Sequence, residues 1–210
     1  MGTGLKNVIF DIGNVLIEWN PELLYRKLLP DPAKRHAFLR DVCTMDWNIQ
    51  QDLGRSWAEA VAALSREHPD KTGLIAAYSD RWQEMVPGEI PGSVGILETL
   101  RQSGVPLYAI TNFSSEKFAE TEVRFPFLKT HFLDVVVSAH ERLVKPDPRI
   151  YEVLLSRNGL TAEDCVFIDD SLPNVNAART LGMAAIHFQT AEDLRRDLQE
   201  MGFLNSAAHA

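Results

Sequence analysis

The architecture of this chain is set by the stretch Asn7-Val8-Ile9-Phe10-Asp11-Ile12-Gly13-Asn14-Val15-Leu16. Its apolar run, Val8 to Phe10, stops at a carboxylate, and Gly13 follows two residues later. Continuous apolar character is typical of a buried parallel strand. The strand is therefore predicted to end at Asp11 and to present that side chain in a crevice. Because glycine adopts backbone angles that other residues avoid, Gly13 is expected to let the chain turn tightly there. On its own, Asp11 could equally be a loop residue or a helix cap.

Strands and helices alternate from residue 94 to the end of the chain. Apolar runs alternating with helical periodicity are typical of right-handed crossovers and of a parallel sheet covered on both faces. The fold class is therefore predicted as α/β, with a doubly wound, Rossmann-like parallel sheet. The predicted strands are Val105–Ile110, Val135–Val137, Cys165–Ile168 and Ala184–Phe188, and the predicted helices are Val94–Ser103, Ser114–Arg124, Pro148–Asn158, Asn174–Leu181 and Ala191–Met201.

Residues 18–87 contain no convincing strand and are predicted to form an all-α insert. Ser56 and Glu59 have the spacing of a capping box at a helix start. Proline–glycine pairs at 87–88 and 91–92 mark turns after the insert. The α/β core would then consist of residues 1–17 and 88–210. The helices predicted in the insert are Pro21–Leu29, Asp31–Cys43, Trp57–His68 and Lys71–Met85.

Composition narrows the class of protein. The chain has 210 residues and a formal net charge of -8, which argues against a nucleic-acid partner. No apolar run reaches membrane-spanning length, so no membrane partner is expected. The two cysteines, Cys43 and Cys165, are predicted to be reduced, as is usual in the cytoplasm. The histidine spacing supports no zinc site. The sequence is compatible with a monomer or a homodimer.

Polar side chains follow three of the predicted strands. These are Asp11, then Thr111 with Asn112, and finally Asp169 with Asp170, while Lys145 lies in the loop after another strand. Taken singly, Thr111 could be a helix cap and Lys145 a solvated loop residue. A parallel sheet, however, brings the carboxyl ends of its strands to one crevice. The joint occurrence therefore indicates a functional site.

These residue types suit phosphoryl chemistry. Clustered carboxylates need a cation, and Mg²⁺ prefers oxygen ligands such as those of Asp11, Asp170 and the Gly13 carbonyl. Lys145 would steady Asp11 and a bound phosphate. The Thr111 hydroxyl and the backbone N–H groups of Asn112 and Phe113 would bind phosphate oxygens near a helix N-terminus. Asp11 could then attack phosphorus and form an aspartyl-phosphate.

Four motifs in this order resemble those of the haloacid dehalogenase-like (HAD) hydrolase superfamily. They are Asp11-Ile12-Gly13-Asn14-Val15, Ile110-Thr111-Asn112, Lys145-Pro146 and Ile168-Asp169-Asp170. The resemblance implies that Asp11 is the nucleophile, that Thr111 binds phosphate and that Lys145 is the third-motif lysine. It further implies that Asp170 binds Mg²⁺ with Asp169 as an additional acid, and that residues 18–87 are a cap domain.

One position departs from the pattern of the phosphatases in that family. They usually carry a second aspartate, acting as general acid and base, where this chain has Gly13. The backbone oxygen needed for the metal remains, but the proton shuttle is missing. The Asp-x-Gly-Asn-Val motif is similar to that of sugar-phosphate phosphatases, so activity could persist. Asn14 and Glu18 are the replacements suggested by the sequence.

The insert would select the substrate. Trp19 and Asn20 follow the first motif at the hinge and are predicted to line the pocket, as is Asn14. Trp57 and Trp82 lie at helical spacing and are expected in the core. Movement of the cap would admit substrate and exclude water.

Three functions remain open from the sequence. The first is a Mg²⁺-dependent phosphatase acting on a small phosphorylated metabolite such as a sugar phosphate. The second is a 2-haloacid dehalogenase, in which Asp11 attacks carbon without a metal. The third is a non-catalytic binding module in which Gly13 marks a decayed enzyme.

Overall fold

A five-stranded parallel sheet forms the centre of the computed structural model, which describes residues 4–205. The strand order is β3-β2-β1-β4-β5, so β1 lies in the middle and the chain crosses over on both sides of it. The predicted fold class is confirmed. The strands are β1 (Asn7–Phe10), β2 (Leu107–Thr111), β3 (Asp134–Val137), β4 (Cys165–Asp169) and β5 (Ala184–His187).

The register of the sheet explains why the predicted polar residues meet. Phe10 is paired with Ala109 of β2 and with Ile168 of β4. The residues that follow these positions, among them Asp11 and Asp169, therefore leave the sheet at the same edge. All four residues of β1 are buried, because helices cover both faces of the sheet.

Seven helices accompany the sheet. The first begins at Pro91, three residues before its predicted start, because proline is favoured at the first helical position. The two short helices at 127–130 and 138–141 were not predicted. The helices are α6 (Pro91–Gln102), α7 (Ser115–Arg124), α8 (Phe127–Thr130), α9 (Ser138–Glu141), α10 (Pro148–Asn158), α11 (Leu172–Thr180) and α12 (Ala191–Glu200).

Residues 18–87 contain five α-helices and no strand of the sheet. The predicted helix Lys71–Met85 is wrong as a single element. Its α-helical part ends at Asp80, and a 3₁₀ turn, Trp82–Met85, follows, closed by an Arg81–Glu84 ion pair at 2.6 Å. A helix at 45–52 was not predicted. The helices are α1 (Pro21–Leu28), α2 (Pro32–Asp41), α3 (Met45–Asp52), α4 (Trp57–Glu67) and α5 (Thr72–Asp80).

The two ends of this helical segment are tied to each other. The Glu18 N–H donates to the Gly88 carbonyl at 2.9 Å, and the Ile90 N–H donates to the Leu16 carbonyl at 2.8 Å. Paired backbone groups hold the chain leaving β1 beside the chain that returns to the sheet. This pairing fixes where the helical segment emerges, next to Asp11.

Both cysteines are buried free thiols, as predicted. Ser56 caps α4 by accepting the Glu59 N–H at 3.3 Å, and its hydroxyl donates to the Glu59 carboxylate at 2.7 Å, so the capping box is confirmed. Within residues 4–205, no helix combines the length and apolar character needed to cross a bilayer.

Candidate active site

A cavity of about 440 Å³ lies where the carboxyl ends of the strands meet the helical segment. Such a position is where open parallel sheets bind ligands. The sheet side and the helical side both contribute to its walls. The residues from the sheet side that line it include Asp11, Gly13, Asn14, Thr111, Asn112, Phe113, Lys145 and Asp170, and those from the helical segment are Trp19, Met45, Asp46, Asn48, Ile49, Asp52 and Trp82.

Lys145 is the centre of a buried charge network. Its ammonium lies 2.8 Å from Asp11 Oδ1 and 2.7 Å from Asp169 Oδ2, and it donates to the Ile110 carbonyl at 2.9 Å. The side chain is almost completely buried, so its three donors are all satisfied within the protein. Lys145 thereby fixes Asp11 at the floor of the cavity.

Asp11 uses one oxygen for structure and leaves the other free. Oδ1 accepts from Lys145 and from the Ile12 N–H at 2.7 Å. Among the described residues, no donor contacts Oδ2. Oδ2 is therefore the oxygen available for chemistry.

Asp169 is saturated with protein donors. Oδ1 accepts from the Ser171 N–H at 2.8 Å, and both oxygens accept from the Asn174 amide at 3.0 and 3.1 Å. With Lys145 on Oδ2, this fully buried carboxylate positions the lysine. Asn174, five residues further along on α11, was missed because a lone asparagine in a first helical turn has no distinctive sequence signal.

The acidic cluster is suited to a divalent cation. One carboxylate oxygen from each of Asp11, Asp169 and Asp170 can be chosen so that all three lie within 4.8 Å of one another. Three carboxylates against the single ammonium of Lys145 leave two excess negative charges. The Gly13 carbonyl also lines the cavity, and it accepts no hydrogen bond within residues 4–205. Hard oxygen donors with this charge suit Mg²⁺.

The electrostatics support the same conclusion. Burial raises the pKa of Asp11, and the nearby ammonium of Lys145 opposes that rise. Burial and the negative charge of Asp169 raise the pKa of Asp170. Although burial alone would lower the pKa of Lys145, Asp11 and Asp169 raise it, so the lysine stays charged. A bound cation would favour the ionised form of both cavity-lining acids.

Thr111 has an orphaned hydroxyl. The residue is 1% exposed, it lines the cavity, and its Oγ1 has no hydrogen-bond partner among the described residues. A buried polar atom without a partner is costly. A ligand oxygen in the cavity would satisfy it, which fits the phosphate-binding role predicted for Thr111.

The neighbouring predicted phosphate ligands are used differently. The side chain of Asn112 clamps the Lys145 backbone, donating to its carbonyl at 3.0 Å and accepting its N–H at 2.8 Å. The Phe113 N–H, which was predicted to bind phosphate, donates to Ser138 Oγ at 2.9 Å in this structure. Ser138 could not be identified from sequence, because it lies 25 residues away at the start of α9.

Gly13 and Asn14 exchange the roles expected of them. The left-handed conformation falls on Asn14, with φ of 55°, whereas Gly13 has no left-handed φ. The predicted reason for glycine at this turn is therefore wrong. An ideal Cβ placed on Gly13 would have no atom within 4 Å. Asn14 Oδ1 accepts the Trp19 N–H at 3.0 Å, and the side chain also hydrogen-bonds to Asp170.

Aromatic rings form part of the cavity wall. Trp19 packs against Trp82 with ring centroids 5.9 Å apart, and Trp82 packs against Phe113 at 6.0 Å. All three line the cavity. Asn20, which was predicted to line it as well, instead caps α1 by accepting the Glu22 N–H at 2.9 Å. Trp57 is buried in the core as predicted, whereas Trp82 is both a core residue and a cavity residue.

Residues 5–182 match the family described as haloacid dehalogenase-like hydrolase. The chain belongs to the haloacid dehalogenase-like hydrolases. This membership confirms the family resemblance, and the protein is a hydrolase.

Two named relatives and one solved structure are similar to this chain. A sesquiterpene phosphatase from Aspergillus oryzae is 28% identical over 199 residues, covering 89% of this chain and 91% of the relative. A drimenol cyclase from Aspergillus calidoustus is 32% identical over 197 residues, covering 92% of this chain but 36% of that protein. The magnesium complex of a HAD family enzyme from Bacteroides thetaiotaomicron is 21% identical with a TM-score of 0.75, covering 93% of this chain and 99% of that one.

This HAD hydrolase carries a further buried acid that the sequence did not reveal. Asp52, the last residue of α3, lines the cavity and is 9% exposed. Burial raises its pKa to about 7, and a hydrogen bond from the Ser114 backbone opposes that rise. Within residues 4–205, no basic side chain forms a salt bridge with it. Glu18, the acid suggested by the sequence, is exposed and does not line the cavity.

Asp52→Asn is expected to stabilise the HAD hydrolase increasingly as pH rises. An acid whose pKa is higher in the folded state lowers the free energy of unfolding when it ionises. For Asp52 this loss begins above the unfolded pKa of 3.8 and is complete above the folded pKa of about 7. At about 1.4 kcal/mol for each pKa unit, the gain reaches at most about 4 kcal/mol at pH 8. Thermal unfolding at pH 4 and pH 8 measures it. The exposed Asp41→Asn is the control, and an equal effect of Asp52→Asn at both pH values would contradict the prediction.

Proposed function

We propose that this HAD hydrolase is a Mg²⁺-dependent phosphatase of small phosphorylated compounds. The observation that carries the proposal is the meeting, in one cavity, of a lysine-held carboxylate, a second acid and an orphaned hydroxyl. These belong to Asp11, Asp170 and Thr111. The Aspergillus oryzae relative is itself named a sesquiterpene phosphatase.

Each group at the floor of the cavity has a role in the proposed phosphatase reaction. The free Oδ2 of Asp11 attacks phosphorus, and an aspartyl-phosphate forms. Lys145 favours the ionised form of Asp11 against the effect of burial and aims the carboxylate through Oδ1. The Thr111 hydroxyl donates to a phosphate oxygen and thereby orients the group for attack. Mg²⁺, held by Asp11, Asp170 and the Gly13 carbonyl, would neutralise charge on the phosphate.

Residues 18–87 are proposed to act as the cap that closes this cavity. They supply its aromatic wall, including Trp19 and Trp82, and its partly exposed residues Met45 and Ile49. The aromatic and aliphatic side chains favour an organic group with an apolar face, whereas three polar residues of α3 line the same side. Aryl and prenyl-like monophosphates are therefore expected to bind through the apolar part of this wall.

A dehalogenase is less well supported by the charges. Its substrate would place a carboxylate beside Asp11 and Asp170, and Lys145 is already shared between two acids. Like charges that lie close together in a buried site repel strongly. Halide release from 2-chloropropionate nevertheless provides a direct comparison.

Removal of divalent metal is expected to lower phosphatase activity by at least roughly 10²-fold, because a metal supplies several kcal/mol of charge stabilisation. The measurement is p-nitrophenyl phosphate hydrolysis with Mg²⁺ and with excess chelator, followed by restoration with Mg²⁺. A panel of aryl, prenyl-like and sugar phosphates then ranks the substrate classes by kcat/KM. Turnover that is unchanged in chelator, or absent on the whole panel, would overturn the proposal.

A further inference from the structure

The proposed phosphatase reaction needs a proton that the first motif cannot provide. Gly13 has no side chain, and the Asn14 amide is not an acid at neutral pH. Glu18 lies outside the cavity. We propose, on the basis of the function above, that Asp52 of α3 is the general acid and base of the reaction, contributed by the helical segment instead of the sheet.

The position of Asp52 is fixed relative to the phosphate-binding loop. Ser138 Oγ donates to the Asp52 carbonyl at 2.6 Å and accepts the Phe113 N–H at 2.9 Å. One hydroxyl thus connects the end of α3 to a residue two positions after Thr111. The turn after Asp52 packs equally tightly, since an ideal Cβ on Gly54 would lie 3.0 Å from the Ala139 carbonyl oxygen.

A second connection holds the other side of this turn. Trp57 Nε1 donates to Ser114 Oγ at 2.8 Å, and the Trp57 N–H donates to Glu116 at 3.1 Å. Both acceptors lie at the start of α7, directly after the β2 loop. Asp52 lines the cavity between these two connections, and its carboxylate accepts a hydrogen bond from the Ser114 backbone.

The surroundings of Asp52 can accommodate either protonation state. Asn48 Nδ2 donates to Asp52 Oδ2 at 3.2 Å, whereas Asn48 Oδ1 is buried without a partner. Rotation of the Asn48 amide by half a turn would present that oxygen to a protonated Asp52. A single neighbour can therefore accept from the acid or donate to the base. Desolvation that raises the pKa of Asp52 to about 7 suits proton exchange near neutral pH.

The proton that Asp52 gives up in the first step is regained from water in the second. As Asp11 Oδ2 bonds to phosphorus and the bond to the leaving oxygen breaks, the Asp52 carboxylic acid gives its proton to that oxygen and releases an alcohol. Asp52, now ionised, takes a proton from water as the water oxygen bonds to phosphorus. The Asp11–phosphate bond breaks, phosphate leaves, and both carboxyl groups return to their starting states.

The test compares Asp52→Asn with the unaltered protein on two Mg²⁺-activated substrates, p-nitrophenyl phosphate and n-hexyl phosphate. Nitrophenolate leaves with little protonation, whereas an alkoxide needs a proton. The kcat/KM for hexyl phosphate is expected to fall roughly 10²-fold or more, and that for nitrophenyl phosphate less than about tenfold. Because loss of the base slows hydrolysis of the phosphoenzyme, a burst of about one nitrophenol per enzyme is also expected.

A double variant separates chemistry from structure. An ideal Cβ on Gly13 would have no atom within 4 Å, so adding Gly13→Asp to Asp52→Asn is expected to restore turnover of hexyl phosphate at least tenfold. Asp41→Asn on the exposed face of α2 is the control. Equal losses of kcat/KM on both substrates, or no loss on either, would overturn the role of Asp52. Turnover of nitrophenyl phosphate by the unaltered protein tests the phosphatase proposal separately.

Discussion

Asp11→Asn is expected to lower kcat for phosphate monoester hydrolysis by roughly 10⁴-fold or more, as removal of a nucleophile does in other covalent enzymes. This substitution removes the nucleophilic oxygen and leaves the hydrogen bonds of the side chain in place. Asn Oδ1 can still accept from the Ile12 N–H and from Lys145, the two bonds that hold the side chain now. Only the free oxygen, Oδ2, becomes an amide nitrogen that cannot attack phosphorus.

Trapping the aspartyl-phosphate intermediate tests this prediction independently of the reaction rate. Acid quenching during turnover of a radiolabelled phosphate ester is expected to leave label on the unaltered chain and none on Asp11→Asn. Asp41→Asn, an identical chemical change at an exposed site, should retain both label and activity. If Asp11→Asn turned over at the rate of the unaltered protein, the measured hydrolysis would belong to another site or to a contaminant.

The sheet could be predicted because its sequence signal is strong. Val8 to Phe10 and the other central runs are apolar on both faces, which fits strands covered by helices on each side. Once the strands are parallel, topology alone brings the residues after them to one edge. The cluster of Asp11, Lys145 and Asp170 follows from that rule, although the roles assigned to these residues remain predictions.

Helix α3 could not be predicted for an equally physical reason. Its buried residues are Trp47, Asn48, Gln51 and Asp52, so the face turned inward is mostly polar. A search for apolar residues at helical spacing does not detect such a face. The polarity reflects its location, because this helix lines the cavity and accepts a hydrogen bond from Ser138 instead of packing on an apolar core. The acid proposed here as the proton donor was missed for the same reason.

The turn after β1 shows the limit of reasoning from residue type. Glycine suggested a left-handed backbone, yet the structure places that conformation at Asn14, a residue type that tolerates it better than most. Gly13 instead leaves open space beside the acids. A motif can therefore indicate a candidate site even when the expected reason for one of its residues is wrong.

Lys145→Met is expected to destabilise the fold by about 3–5 kcal/mol, the typical cost of removing one partner from a buried ion pair. The methionine would fill similar space but would leave Asp11 and Asp169 facing each other without a positive charge. The Ile110 carbonyl would also lose its donor. Urea unfolding in metal-free buffer measures the loss. Lys6→Met is the matched control, since Lys6 pairs with Asp164 at the surface and its removal should cost less than about 1 kcal/mol.

A double variant identifies the origin of the loss. In Lys145→Met combined with Asp169→Asn, one of the two uncompensated buried carboxylates is gone, so the double variant is expected to be more stable than Lys145→Met alone. A double-mutant cycle then isolates the coupling between the ammonium and Asp169. If the double variant were no more stable, the cost would arise from packing around residue 145. In that case the charge network would not be what holds Asp11 in position.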